Sequence, residues 1–136
     1  MVVLPGVDDP DHLPFCYTIG NAERGLPELL LIGVGRDGSG ALNVASEIII
    51  ERGKAFDDGE LVSLGGKYSV KVVNADPEVK QFYTVQAGEI LEHQNYHVQQ
   101  VIACDRQGRF PDDPACEEPY ASYPICSYSF WSKHNG

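Results

Sequence analysis

His93 and His97 stand four residues apart, with Cys104 and Cys116 further along the chain. Neutral imidazoles at i and i+4 on a helix, joined by one or two thiolates, can complete a tetrahedral zinc site. The residues around the second histidine, "NYHV", read instead as the passage from a helix into a strand. The two rings then do not share a helical face, and surface or packing histidines are the simpler reading. Cys16 or Cys104 set against any of the four histidines would make a nucleophile–base pair. Both cysteines lie within or beside apolar strand sequence, where a buried thiol stays protonated and inert. No G-x-S-x-G elbow is present.

Gly33, Gly35 and Gly38 in "LLLIGVGRDGSGALNVASEIII" have the order and spacing of a dinucleotide-binding loop. Such a loop works only inside a βαβ unit whose second strand ends in an acid about 20 residues on. Here the helix is followed by polar "RGKAFDDGE", in which Asp57 and Asp58 lie at that distance but in turn-like sequence. No Lys-Ser/Thr follows the glycines, so a P-loop is excluded as well. The spacing is read as a strand-to-helix turn, and no cofactor is expected. The most informative polar stretch is "HVQQVIACDRQGRFPDD". Gln99 or Gln100 on a buried strand face must find partners, or cost about 1–3 kcal/mol. Asp105 and Arg109 could pair across the turn that follows, as a structural clasp or as a ligand site.

These residues need elements to hold them. "PFCYTIG" (14–20) and "ELLLIGV" (28–34) read as strands, joined so tightly that an antiparallel pair is the simplest arrangement. A first helix follows, capped by Asp37 or Ser39, with apolar residues at 41, 42, 45, 48 and 49 and a stop at Gly53. Residues 60–76 read as one or two strands around Gly65–Gly66. "DPEVKQFYTVQAGEILEHQN" (76–95) opens as a helix should, with a strand at 82–86 as the rival, and 96–105 is again a strand. The expected fold is α+β: a single domain over 1–136 with a mixed or mainly antiparallel sheet and about two helices packed on it. Residues 1–12 are expected to form a mobile arm, and 121–136 an irregular aromatic and proline-rich wrap.

A chain of 136 residues suits one core. Ten Lys+Arg against twenty Asp+Glu give a net charge of −10, and no basic stripe is available to neutralise phosphates, so direct nucleic-acid binding is not expected. No apolar run reaches the roughly 18 residues of a membrane span. The start, with Asp8, Asp9 and Asp11, does not read as an export signal. A cytoplasmic location with four free cysteines is the expectation.

"PFCYTIGNAERGLPELLLIGV", "ALNVASEIIIERGKAFDDGE" and "VQQVIACDRQGRFPDDPACEEPY" together resemble the bacterial domain-of-unknown-function 4262 family. The positions carrying the resemblance are Phe15, Tyr17, Thr18, Gly20, Pro27, Glu28, Leu29, Gly33, Asn43, Gly53, Gln100, Asp105, Gly108, Phe110 and Pro111. The chain departs from the family pattern at "IACD", where an aromatic-Pro-Asp is usual, and at "FPDD", where Phe-Pro-Trp is usual. The resemblance brings no reaction with it, but it ranks the polar candidates. The expected function is a binding module that holds a small molecule or a protein partner in a polar cleft. Its lining would be Tyr17, Thr18, Glu28, Asn43, Gln100, Asp105 and Arg109. The alternatives are an acidic inhibitor or decoy, antitoxin-like or phage-encoded, that binds a basic protein, and a hydrolase or transferase using Asp105 or Glu28 as general base. The lack of a nucleophile–base pair favours binding over catalysis. No metal is expected, and oligomeric state is not set by the sequence.

Overall fold

The computed structural model of the chain describes residues 2–3, 15–33, 37–65, 68–76, 96–123 and 125. The elements are β1 (Val2–Val3), β2 (Phe15–Thr18), β3 (Glu28–Ile32), α1 (Asp37–Arg52), β4 (Glu60–Gly65), β5 (Tyr68–Asn74) and β6 (Val98–Ala103). Short 3-10 turns lie at Asn21–Arg24 and Tyr120–Ser122. The strands form one sheet in the order β1-β2-β3-β6-β5-β4. Five of the six are longer than two residues. Every pairing is antiparallel except that of β3 with β6, which is parallel.

The short link from β2 to β3 leaves room only for an antiparallel return, and Phe15 lies opposite Ile32. β3 and β6 are parallel because α1 and the β4–β5 hairpin intervene before the chain comes back beside β3. All five residues of β3 and all six of β6 are buried, as both faces of a central strand require. β4 alternates instead, with Val62 buried and Leu61 63% exposed, as fits a strand with one covered face.

One face of the sheet packs on α1. Leu42, Ala45 and Ile49 recur at i, i+3 and i+7, are fully buried, and meet Leu29, Leu31, Val70, Val72 and Val101. Burying each such Leu or Ile contributes about 1.5–3 kcal/mol. The helix ends at Gly53, whose φ of +73° closes the last turn while its N–H donates to the carbonyl of Ile49 at 2.9 Å. On the other face, Tyr17, Leu30, Ile32 and Val98 gather around Tyr96. Val73 and Ile102 pack with Ile125 and Phe110.

The α+β architecture and its mixed sheet are therefore present, with one α-helix among the described residues. The second helix expected over 76–95, and its rival strand at 82–86, fall outside the described residues apart from Asp76. The same holds for most of 121–136. The start of the expected N-terminal arm is part of the sheet: Val2 pairs with Thr18 and Val3 with Tyr17. Its remainder, 4–12, lies outside the described residues.

The glycine loop does not belong to a βαβ unit. α1 leads to β4, which pairs antiparallel with β5, and the parallel neighbour of β3 arrives only after both. Gly35 is outside the described residues and Gly38 lies within α1. At Gly33, φ is +86°, and a Cβ added there would stand 2.5–2.7 Å from ring atoms of Tyr123. The close approach that glycine permits here is made by the chain's own aromatic ring. Gly33→Ala should destabilise the protein by about 1–2 kcal/mol through positive φ alone. Overpacking against Tyr123 should add roughly 1–3 kcal/mol. Urea unfolding measures the sum, and adding Tyr123→Ala should relieve the steric part of the penalty while leaving the φ part.

Candidate functional site

Glu28 opens β3 and is fully buried. Its Oε1 accepts from the Thr18 hydroxyl at 2.7 Å and the Asn21 N–H at 3.1 Å. Its Oε2 accepts from the N–H groups of Gly20 and Ala22, both at 3.0 Å. Among the described residues no cation pairs with it; hydrogen-bond donors alone hold the charge. Thr18 Oγ1 in turn accepts from the Leu29 N–H at 2.9 Å. The Asn21 carboxamide donates to the Pro27 carbonyl at 3.3 Å and to Ser46 of α1 at 3.4 Å. A carboxylate has about four lone-pair directions. All four are used within the chain, so Glu28 is an internal clasp for the Asn21–Arg24 turn.

Asp105, just past β6, repeats the pattern. Its Oδ1 accepts from the N–H groups of Gln107 at 2.8 Å and Arg109 at 2.9 Å. Its Oδ2 accepts from Arg109 Nε and the Glu117 N–H, both at 2.9 Å. Glu117 then takes Arg109 at 3.3 Å and Arg106 at 3.0 Å. Desolvation is the largest single influence on the Asp105 carboxyl and pushes its pKa up. The hydrogen bonds from Arg109, Glu117 and Gln107 together outweigh it and hold the carboxyl well below its ordinary 3.8. The Asp105–Arg109 pair is thus the clasp of a structural turn.

The seven expected lining residues do not meet in one cleft. Glu28 lies opposite Val98 at the start of β6, whereas Asp105 follows that strand's end. At 3.3 Å per residue, seven steps separate them by about 23 Å. Tyr17 and Gln100 flank Leu30 in one cross-strand row and are buried to within 2%. Asn43 is exposed on α1, on the side turned away from Leu42 and Ala45. The expectation of one polar cleft fails on register, since strand pairing places these residues at opposite ends and on different surfaces.

The concavity lies elsewhere. A cleft of about 420 Å³ opens where β3 and β6 begin and β5 ends. Leu26, Pro27, Ala22, Ala75, Val98 and Tyr96 form its apolar wall, Ala55 and Gly25 its flanks, and Asn74, His97 and Gln99 its polar groups. Gln99 reaches across to the loop after α1: its Oε1 accepts from the Phe56 N–H at 3.1 Å, and its Nε2 donates to the Phe56 carbonyl at 2.7 Å. The need of a strand glutamine for partners pointed here, but the expected lining named Gln100, whereas the cleft is lined by Gln99. His97 is exposed on this cleft, while His93 lies outside the described residues. Among the described residues, no group of three His, Cys, Asp or Glu could hold a metal. Cys16, Cys104 and Cys116 are free thiols. Burial pushes the Cys16 thiol up to about 12, which disqualifies it as a nucleophile at neutral pH.

Comparison with known proteins places the chain. The model of a family described as domain of unknown function (DUF4262) matches residues 1–117, and the chain belongs to that family. No curated protein and no solved structure matches it.

Two outcomes test the clasps. Glu28→Gln sets an amide NH₂ against backbone donors and should cost about 2–4 kcal/mol in chemical unfolding; an unchanged midpoint would show that the carboxylate does not hold the turn. For Asp105 the folded pKa is depressed, so its stabilisation is complete above the unfolded value near 3.8 and fades as pH falls below it. Stability measured against pH should therefore drop along that acid limb, and Asp105→Asn, less stable at neutral pH, should show a flatter one.

Proposed function

For this member of the DUF4262 family, we propose a small-molecule binding module whose ligand occupies the cleft at the start of β3 and β6. The observation that supports this reading is the cleft itself. Its volume of about 420 Å³ falls in the range of ligand pockets, about 300–1,000 Å³, and its walls are apolar with a few polar groups, as such pockets are. No Lys or Arg is among the lining residues, and the whole chain carries −10, so the ligand is neutral or cationic and not a phosphate. The lining residues include one imidazole and no Ser, Cys, Asp or Glu, which favours retention of a ligand over covalent turnover. Glu28 and Asp105, the two acids considered as general bases, have their lone pairs engaged.

No helix among the described residues is long and apolar enough to cross a membrane. The free thiols among the described residues suit a reducing compartment, which supports a cytoplasmic reading.

Ala55 is exposed at the cleft's flank, so Ala55→Trp should fill the space while changing stability by no more than about 0.5 kcal/mol. A fragment screen followed by amide NMR shifts should report binding at Ala22, Leu26, Ala75 and Val98 in the wild type and lose it in Ala55→Trp. Shifts that persist in the variant, or that cluster elsewhere, would overturn the reading.

A further inference from the structure

Resting on the cleft reading, we infer that the cleft selects an uncharged ligand by a hydrogen-bond acceptor, a carbonyl or amide oxygen, received by the Nδ2 group of Asn74. The sense of that donor follows from a chain of obligatory pairings. The Phe56 N–H can only donate, so Gln99 must turn its oxygen toward it, at 3.1 Å. Gln99 Nε2 then faces the Phe56 carbonyl at 2.7 Å, and its second hydrogen goes to Asn74 Oδ1 at 2.8 Å. Flipping Gln99 would set NH₂ against the Phe56 N–H and oxygen against the Phe56 carbonyl. Asn74 must therefore present its oxygen to Gln99.

Asn74 Nδ2 keeps both hydrogens. Among the described residues nothing accepts from it, at a residue that lines the cleft and is exposed. The donor is held firmly from behind. The Asn74 N–H donates to Asp58 Oδ1 at 2.8 Å, and the Ala75 N–H donates to the Val98 carbonyl at 3.0 Å. Pre-organisation of this kind lowers the ordering cost of binding. The imidazole of His97, also without a partner among the described residues, offers a second polar contact beside the same wall.

Charge narrows the ligand further. An anion has acceptor oxygens, but no lining Lys or Arg would neutralise it, and the Asp58 carboxylate is bonded to the backbone of the very residue that would receive it. A cation with only N–H groups would set donors against a donor. A neutral carbonyl or amide on an apolar body satisfies both conditions.

Benzamide, benzoate and benzamidine share one planar shape and differ in charge and hydrogen-bond sense, so they make the test. Titrations followed by amide NMR should show benzamide tightest in the cleft, with benzoate and benzamidine about 3- to 10-fold weaker. Asn74→Asp keeps an oxygen for Gln99 and replaces the free donor by an acceptor. It should invert the order, with benzamidine gaining and benzamide losing by similar factors. Asn74→Ala, which adds no charge, should abolish the preference for benzamide. Benzamidine binding tightest to the wild type at the cleft amides would overturn the acceptor reading, benzoate binding tightest would overturn the uncharged one, and either would leave the cleft standing. An order unchanged in both variants would also overturn the acceptor reading. No shift at cleft amides with any of the three would sink the cleft reading, and this inference with it.

Discussion

A buried carboxylate with no counter-ion among the described residues governs the layout of this fold. Glu28 is fully enclosed, and a charge taken out of water is tolerable only when donors replace its hydration. Three consecutive backbone N–H groups, those of Gly20, Asn21 and Ala22, point to it, with the Thr18 hydroxyl as the fourth donor. To bring those donors together the chain must fold the 3-10 turn after β2 and return at once as β3. The same residue gives its own N–H to the His97 carbonyl at 2.9 Å, which helps to seat β6 beside β3. Through Asn21 and Ser46 the knot also touches α1. One ionised group thus ties a hairpin, a parallel pairing and a helix to a single corner, and the turn it shapes supplies Ala22, Gly25 and Leu26 to the cleft wall.

Asp105 performs the corresponding task at the far end of β6. Its four acceptor bonds span residues 107 to 117 and give the loop a fixed shape without regular structure. That loop carries Phe110, which packs with Val73, Ile102 and Ile125, and Asp112, which pairs with Lys71 at 3.0 Å. The two carboxylates stand at opposite ends of the central strand pair and hold the chain segments that enter and leave it. Several of the polar positions that carry the family resemblance, Thr18, Glu28 and Asp105 among them, are accounted for by this scaffolding.

What could be read from sequence follows the range of the forces involved. β2, β3 and the strand character of 60–76 were legible because turn residues and apolar runs are local signals, though not whether that stretch made one strand or two. α1 was legible because Leu42, Ala45 and Ile49 keep a helical period up to Gly53. The Asp105–Arg109 pairing was legible too, the two being four residues apart with a glycine between them, although the sequence left it open whether they form a clasp or a ligand site. The parallel pairing was not: Glu28 meets Val98, far along the chain, and nothing local to either residue encodes that register. The donors around Glu28 are mostly backbone N–H groups, which nearly every residue type carries, so the clasp left no compositional trace. Gln99 and Gln100 were inseparable because both faces of β6 are buried, which removes the alternation that normally assigns a side chain to one face.

Hydrogen-bond saturation separates scaffold from site in this molecule. Glu28 and Asp105 looked like chemistry because they are acids near glycines and strand ends, yet each has its four acceptor directions filled by the chain. Gln99 is likewise engaged at its oxygen and at both of its amide hydrogens. Asn74 differs: its oxygen is used and no described residue accepts from its nitrogen, and the reason lies one residue back in the relay, in the inability of the Phe56 N–H to accept. The loop after α1 therefore sets the polarity of a cleft on the opposite side of Gln99. The strand-to-helix turn before α1, by contrast, has the Tyr123 ring packed against Gly33. In the binding reading proposed above, recognition falls to the Asn74 amide, whose nitrogen no described residue engages.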